Sequence, residues 1–265
     1  MNRIILGCND NPDYFMFADL VRAAWGRFVP TARVTIAYVS SSGVNAEYLR
    51  ENCDDLLIFD ALGGIPMCNC AKSVRLIVPG MYPQDTCILS DMDMIPLQAT
   101  FFNDLFSRVS TNNIVCSGWD APCYTREPSI GKTPICYMLG KGAVLAKVCN
   151  PGGLAYEAWV RSWVGSNRFD TKEDTSRLPF SDESVFRVCI NSFSSSGMAS
   201  NMVTKVDRGW AGNAARGRID RSGTAGVKAG RLLKGYYVDA HLPKPFNSQS
   251  DLMKLLTGYI KGEVA

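Results

Sequence analysis

The alternation of β-rich and helical segments over the first third of the chain narrows the fold more than any other feature. Residues 3–7 and the run Val34-Thr35-Ile36-Ala37-Tyr38-Val39 have strand composition, and between them Phe17, Leu20, Val21, Ala24 and Trp25 recur at helical spacing. Ala46 to Asn52 suits a second helix, Leu56 to Phe59 a third strand, and Ala71 to Val78 a third helix stopped by Pro79-Gly80. The apolar run Cys87-Ile88-Leu89 is then a fourth strand. Strands and helices alternating at these lengths imply an α/β fold with a mostly parallel central sheet flanked by helices. Ligands of such sheets gather at the carboxyl ends of the strands. Asn9, Asp10, Asp91 and Asp93 all fall on that edge.

The fourth strand ends in Ser90-Asp91-Met92-Asp93-Met94-Ile95-Pro96. Residues two apart on an extended chain point the same way, so the two carboxylates share a side. Close, unneutralised carboxylates repel, and a divalent cation between them is the simplest compensation. The competing interpretation is a strand closing in a solvated acidic turn, with Pro96 ending the pairing.

With 265 residues and 46% hydrophobic content, the chain has material for one substantial core. A net charge of only +3 argues against a dedicated nucleic-acid binder. The start of the chain lacks the long apolar region and small-residue cleavage site of a signal peptide, and nowhere do 18 apolar residues run together, so a soluble cytoplasmic protein is expected. The ten cysteines are scattered, several inside apolar runs, as buried free thiols would be. With one histidine and no Cys-x-x-Cys pairs, a structural zinc site is not indicated.

Further on, Phe101 to Val109 and Leu154 to Val164 have helical spacing, Ile114 to Ser117 and Ile135 to Leu139 are strand-like, and Gly140-Lys141-Gly142 has the composition of a turn. The long interval from Gly118 to Pro134, with Trp119 and Asp120, suits a shaped functional loop. Ser166 to Pro179 is polar enough to be a flexible connection. A helix starts at Asp182-Glu183, where carboxylates also complement the helix dipole. Asp207 to Lys234 mixes six glycines with seven basic residues, as either a lid over anionic phosphates or a solvated loop would. A short strand at Tyr236 to Val238 presents His241, the chain's only histidine, separated from its expected end by two residues in a Pro-rich turn, and Ser250 caps a last helix.

The strand Cys87 to Ile95, preceded by Ala71-Lys72-Ser73-Val74-Arg75-Leu76-Ile77-Val78-Pro79, resembles the Asp-x-Asp core of GT-A fold glycosyltransferases of the glycogenin and lipopolysaccharide galactosyltransferase type. Their metal strand follows an Arg-bearing helix in the same way. Ile4 to Tyr14 is similar to their first strand and nucleotide-contacting turn, and His241-Leu242-Pro243-Lys244-Pro245-Phe246 to their late His-x-Gly-x-x-Lys-Pro-Trp motif. In this chain one residue fewer separates His from Lys, the glycine is missing and Phe246 replaces Trp. The compact size also resembles glycosyltransferases of large algal DNA viruses.

The resemblance implies one Rossmann-like GT-A domain over 1–265, with a nucleotide-binding half (1–97) and an acceptor-binding half (98–265). It implies Mn²⁺ or Mg²⁺ held by Asp91, Asp93 and His241, and a nucleoside-diphosphate sugar, UDP-linked by preference, held by Asn9, Tyr14, Arg75, Asp91 and Lys244. Tyr14 stacks the base in this scheme, and Asp91 also reaches the ribose. The partner is a glycan or other hydroxyl acceptor. Asp182 and Glu183 are the first choice of base, with helix capping as the other role for Asp182, and Asp120 an alternative base or sugar ligand. Two rivals are a catalytically silent nucleotide-sugar binding module and a haloacid-dehalogenase-type phosphatase. The phosphatase places its Asp-x-Asp on the first strand, whereas here it is on the fourth.

Overall fold

The structure, a computed structural model, describes residues 1–119, 133–164, 169–170, 178–179, 181–195, 202–211, 214–215, 217–221, 227–248 and 250–263. Among these, strands β1 (Asn2–Asn9), β2 (Ala32–Ser40), β3 (Asp55–Asp60), β4 (Thr86–Ser90), β5 (Met94–Pro96), β6 (Ile114–Ser117) and β7 (Met138–Lys141) are followed by the two-residue pair β8 (Phe169–Asp170) and β9 (Leu178–Pro179). Next come β10 (Val203–Val206), the small pair β11 (Trp210–Ala211) and β12 (Ala214–Ala215), β13 (Arg218–Ile219) and β14 (Asp239–His241).

Seven strands form the central sheet in the order β10-β6-β7-β4-β1-β2-β3. All run parallel except β7, which is antiparallel to both neighbours. The mostly parallel α/β fold expected from the alternation is therefore present. Both sheet faces are covered, which is why these strands are continuously apolar rather than alternating with polar residues. Ile4, Leu6, Ile36, Tyr38 and Ile88 enter one core, under helices Ala18–Phe28, Ala99–Ser107 and Asp251–Lys261. Ile5, Ala37, Val39, Cys87 and Leu89 enter the other, under helices Met67–Ile77, Gly142–Cys149, Tyr156–Val164 and Asp182–Ser195.

Two glycines set the spacing of this second layer. A Cβ on Gly7 would lie 2.3 Å from the Ala71 carbonyl oxygen, so its absence lets helix Met67–Ile77 lie directly on β1. A Cβ on Gly142 would lie 2.1 Å from the Tyr82 oxygen and 2.4 Å from that of Pro79. This corrects the expected turn at Gly140-Lys141-Gly142: the first two residues continue β7 and Gly142 opens a helix. The strand begins at Met138 rather than Ile135 because Tyr137, at φ 58°, turns the chain.

The strand expected at Tyr236 to Val238 also moves, and Asp239–His241 pairs instead. β14 lies between β13 and β5 in a separate three-stranded sheet. Buried Asp239 holds it there by accepting hydrogen bonds from Arg208 Nη1 and Nη2, at 2.9 and 2.8 Å, and from Arg218 Nη2 at 2.9 Å. The nine described cysteines are free and seven are buried. Among the described residues, no helix is long and apolar enough to cross a membrane.

Candidate active site

The late segment meets the acidic pair through backbone pairing. In β14, Ala240 pairs with Ile95 and His241 with Met94, and Leu242 N donates to the Asp93 carbonyl at 2.7 Å. The histidine therefore sits inside a strand, not beyond one, beside the carboxylate that the sequence pattern couples to it.

Asp93 is 2% exposed. Its Oδ2 lies 3.3 Å from His241 Nε2, 2.9 Å from Lys244 Nζ and 3.9 Å from Arg221 Nη1. Although these nitrogens surround it, Oδ2 has no well-directed hydrogen bond, so its compensation by the Lys244 and Arg221 cations is ionic rather than directional. Burial alone would raise the Asp93 carboxyl, but the His241 contact and the Lys244 ammonium outweigh it and hold the group at about 2. The ammonium also stands 3.6 Å from the centre of the Tyr14 ring, so one face of that ring carries a cation.

Asp91 faces another way. Arg75, buried on the inner side of helix Met67–Ile77, donates through Nη1 to Asp91 and to the Ser90 carbonyl, the latter at 2.9 Å. Its Nε donates to Asp182 Oδ2 at 2.7 Å and its Nη2 to the same oxygen. One guanidinium thus joins two carboxylates, one just past the end of β4 and one at the start of helix Asp182–Ser195. The buried cation is held charged by Asp182 and Asp91, which outweigh its desolvation. Asp182 Oδ1 also accepts from the first-turn Glu183 N at 3.1 Å, while Ser181 Oγ, one residue earlier, accepts from Ser184 N at 3.2 Å. Asn9 Oδ1 accepts from Asn11 N at 3.1 Å and so shapes the turn that leads to Tyr14.

A cleft of about 420 Å³ opens at the carboxyl ends of β1 and β4. Asn9, Tyr14, Arg75, Asp91, Asp93, Asp182, Glu183, His241 and Lys244 all line it. The remaining sequence-predicted site residue, Asp120, lies outside the described residues. Not singled out by the sequence were Lys72, Cys136 and Ser181, which also line the cleft, along with Arg218 and Arg221 from the basic stretch. Asp239 was overlooked as well. Its signal was a carboxylate inside the apolar run Tyr236-Tyr237-Val238-Asp239-Ala240, which needs a buried cationic partner.

Asp93 and His241 fit a divalent cation. One buried carboxylate oxygen lacks directed donors, and a donor spacing of 3.3 Å is near the roughly 3 Å edge of a six-coordinate site with ~2.1 Å bonds. The third predicted ligand is turned onto Arg75, and among the described residues no three His, Cys, Asp or Glu side chains converge as a metal cluster.

No protein-family model matches the chain, and no curated protein matches it by sequence. Solved structures do match. The galactosyltransferase LgtC in complex with donor and acceptor sugar analogues aligns at TM-score 0.53 and 12% identity, over 99% of this chain and 96% of that one. An active-site mutant of LgtC aligns at TM-score 0.50 and 13% identity, over 100% and 96%. The glycosyltransferase GlyE of Streptococcus pneumoniae TIGR4 aligns at TM-score 0.50 and 13% identity, over 99% of this chain but 64% of GlyE. At these identities the likeness is one of architecture: the chain has the α/β fold of GT-A glycosyltransferases.

Proposed function

We propose that the protein is a metal-dependent glycosyltransferase that moves a sugar from a nucleoside-diphosphate sugar, preferentially a UDP-sugar, to a hydroxyl of a glycan or related acceptor. The observation that carries this is convergence. Nine residues chosen for that chemistry, from segments at both ends of the chain, line one cleft at the carboxyl edge of the sheet.

Each has a task that its surroundings support. Tyr14 offers a ring to the base beside the turn shaped by Asn9. Asp93 and His241 would hold Mn²⁺ or Mg²⁺, and Asp91 would join on release from Arg75. The metal, when bound, supplies positive charge to the diphosphate as the glycosidic bond breaks. Lys244, Arg221 and Arg218 line the same cleft and add fixed positive charge for the leaving group. Asp182 is ion-paired to Arg75 and suits positioning better than proton abstraction, which leaves Glu183, half-buried on the cleft, as the base or sugar contact within the described residues. Asp120 keeps its proposed role as sugar ligand or alternative base.

The test is release of nucleoside diphosphate from a panel of UDP-, GDP- and ADP-sugars with Mn²⁺ or Mg²⁺, with and without simple sugar acceptors. Turnover with at least one donor is expected. Tight donor binding with no turnover on any would make the protein a silent nucleotide-sugar binding module instead.

A further inference from the structure

Both carboxylates of the acidic pair already hold a cation supplied by the chain itself. Arg75 engages Asp91, and Lys244 Nζ stands 2.9 Å from Asp93 Oδ2 and 3.6 Å from the Tyr14 ring centre. The backbone that carries Lys244 is pinned on either side. Leu242 N bonds the Asp93 carbonyl at 2.7 Å, and the Phe246 ring meets Phe17 edge-on with centroids 4.9 Å apart. The lysine can therefore leave Asp93 only by a change of side-chain rotamer.

A divalent ion entering alone must displace this ammonium or bind beside it, and in a half-buried site like charges at such range repel strongly. Among the described lining residues, Asp91 and Asp182 already engage Arg75, so a lysine that leaves Asp93 gains no unshared carboxylate from that pair. A diphosphate removes the conflict, because it brings the negative charge that the displaced ammonium needs.

Resting on the function proposed above, we propose that Lys244 is an internal counter-ion that occupies the metal's place on Asp93, so that the metal is admitted together with a diphosphate and not ahead of it. Lys244 thereby serves two states. In the ligand-free protein it neutralises Asp93, and in the loaded protein it swings to the phosphates. By linkage, whatever the ammonium costs the metal in the first state is returned as cooperativity with the diphosphate.

A diphosphate chelates metal by itself, so cooperative binding in the wild type does not discriminate. The sign of the effect in the nucleotide-free variant does. Mn²⁺ is titrated calorimetrically into the full chain, alone and with UDP, for wild type, Lys244→Met and Lys244→Arg, with a thermal melt of each to verify folding. Lys244→Gln replaces the Met variant should that one not fold. The expected result is Mn²⁺ binding on the order of tenfold tighter in Lys244→Met than in wild type without UDP, weaker UDP binding, and near wild-type behaviour in Lys244→Arg. Unchanged or weaker nucleotide-free Mn²⁺ binding in Lys244→Met, with wild type still binding Mn²⁺ and UDP, would overturn the counter-ion role and leave the proposed function standing. Wild type that binds neither Mn²⁺ nor UDP would overturn both.

Discussion

At the scale of single residues, the site is a set of charges that neutralise one another across large sequence distances. Arg75 is the clearest case: it is buried, and its donors go to Asp91, Asp182 and the Ser90 carbonyl. Removing it leaves buried Asp182 without its cation and the part-exposed Asp91 without its partner. Arg75→Met is expected to cost about 3–5 kcal/mol of stability in a urea titration, and a loss below about 1 kcal/mol would show that the two carboxylates relax into water. The double variant Arg75→Met with Asp182→Asn should lose less than the sum of the two single changes, because they share one interaction. Arg75 was legible as a site residue from the sequence, but its partners were not. Its neighbours Ala71, Val74 and Leu76 are apolar, which placed an arginine on an inward face without saying which carboxylates meet it there. Asp91 was assigned to metal for the same reason, since two acids two residues apart share a side of the strand in sequence, whereas the folded chain offers one of them a guanidinium.

At the scale of elements, two contacts hold the site in place. The first is the close approach of helix Met67–Ile77 to β1 at Gly7. Gly7→Ala puts a methyl group 2.3 Å from a backbone oxygen that cannot step aside unless the helix carrying Arg75 moves. It should cost about 1–3 kcal/mol or more and loosen the cleft, whereas a wild-type melting temperature would mean that the helix shifts freely. The second is the clamp of Arg208 and Arg218 on Asp239. Burial alone would raise the Asp239 carboxyl, but the two guanidiniums outweigh it and hold the group well below the ordinary carboxylate range. A carboxylate whose folded value is depressed stabilises the protein fully above its unfolded value, near 3.8, and the contribution fades as pH falls toward the folded value. Acid unfolding should therefore steepen below about pH 4, and Asp239→Asn should be less stable at neutral pH and flatten that part of the curve. Equal acid profiles for the two proteins would contradict the clamp. Strands β1, β2 and β4 were visible in the sequence because burial on both faces makes them apolar runs, and the part-exposed edge strand β3 was visible from its apolar composition. The short strand at Asp239–His241 was displaced in the sequence-based assignment because its pairing is set by a buried ionic cluster and not by its composition.

At the scale of the whole molecule, a doubly covered parallel sheet gathers strand ends on one edge, and the small sheet of β13, β14 and β5 returns the end of the chain to that edge. The α/β class followed from periodicity alone. The cleft required the third dimension, because no local pattern says that residue 241 lies beside residue 93. Residues 98–265 were least legible: their helix starts were recognisable, but their loops carry polar and glycine-rich sequence with no period to read. The measurement that bears most directly on the proposed metal–diphosphate site is a thermal-shift comparison of wild type and Asp93→Asn with UDP, GDP and ADP, each with and without Mn²⁺. A ligand bound by the native state raises the melting temperature by mass action. Wild type should be stabilised by one nucleoside diphosphate with Mn²⁺ well beyond either alone, and Asp93→Asn should lose that increment. Stabilisation by Mn²⁺ and nucleotide that survives unchanged in Asp93→Asn would place the metal elsewhere and contradict the site described here.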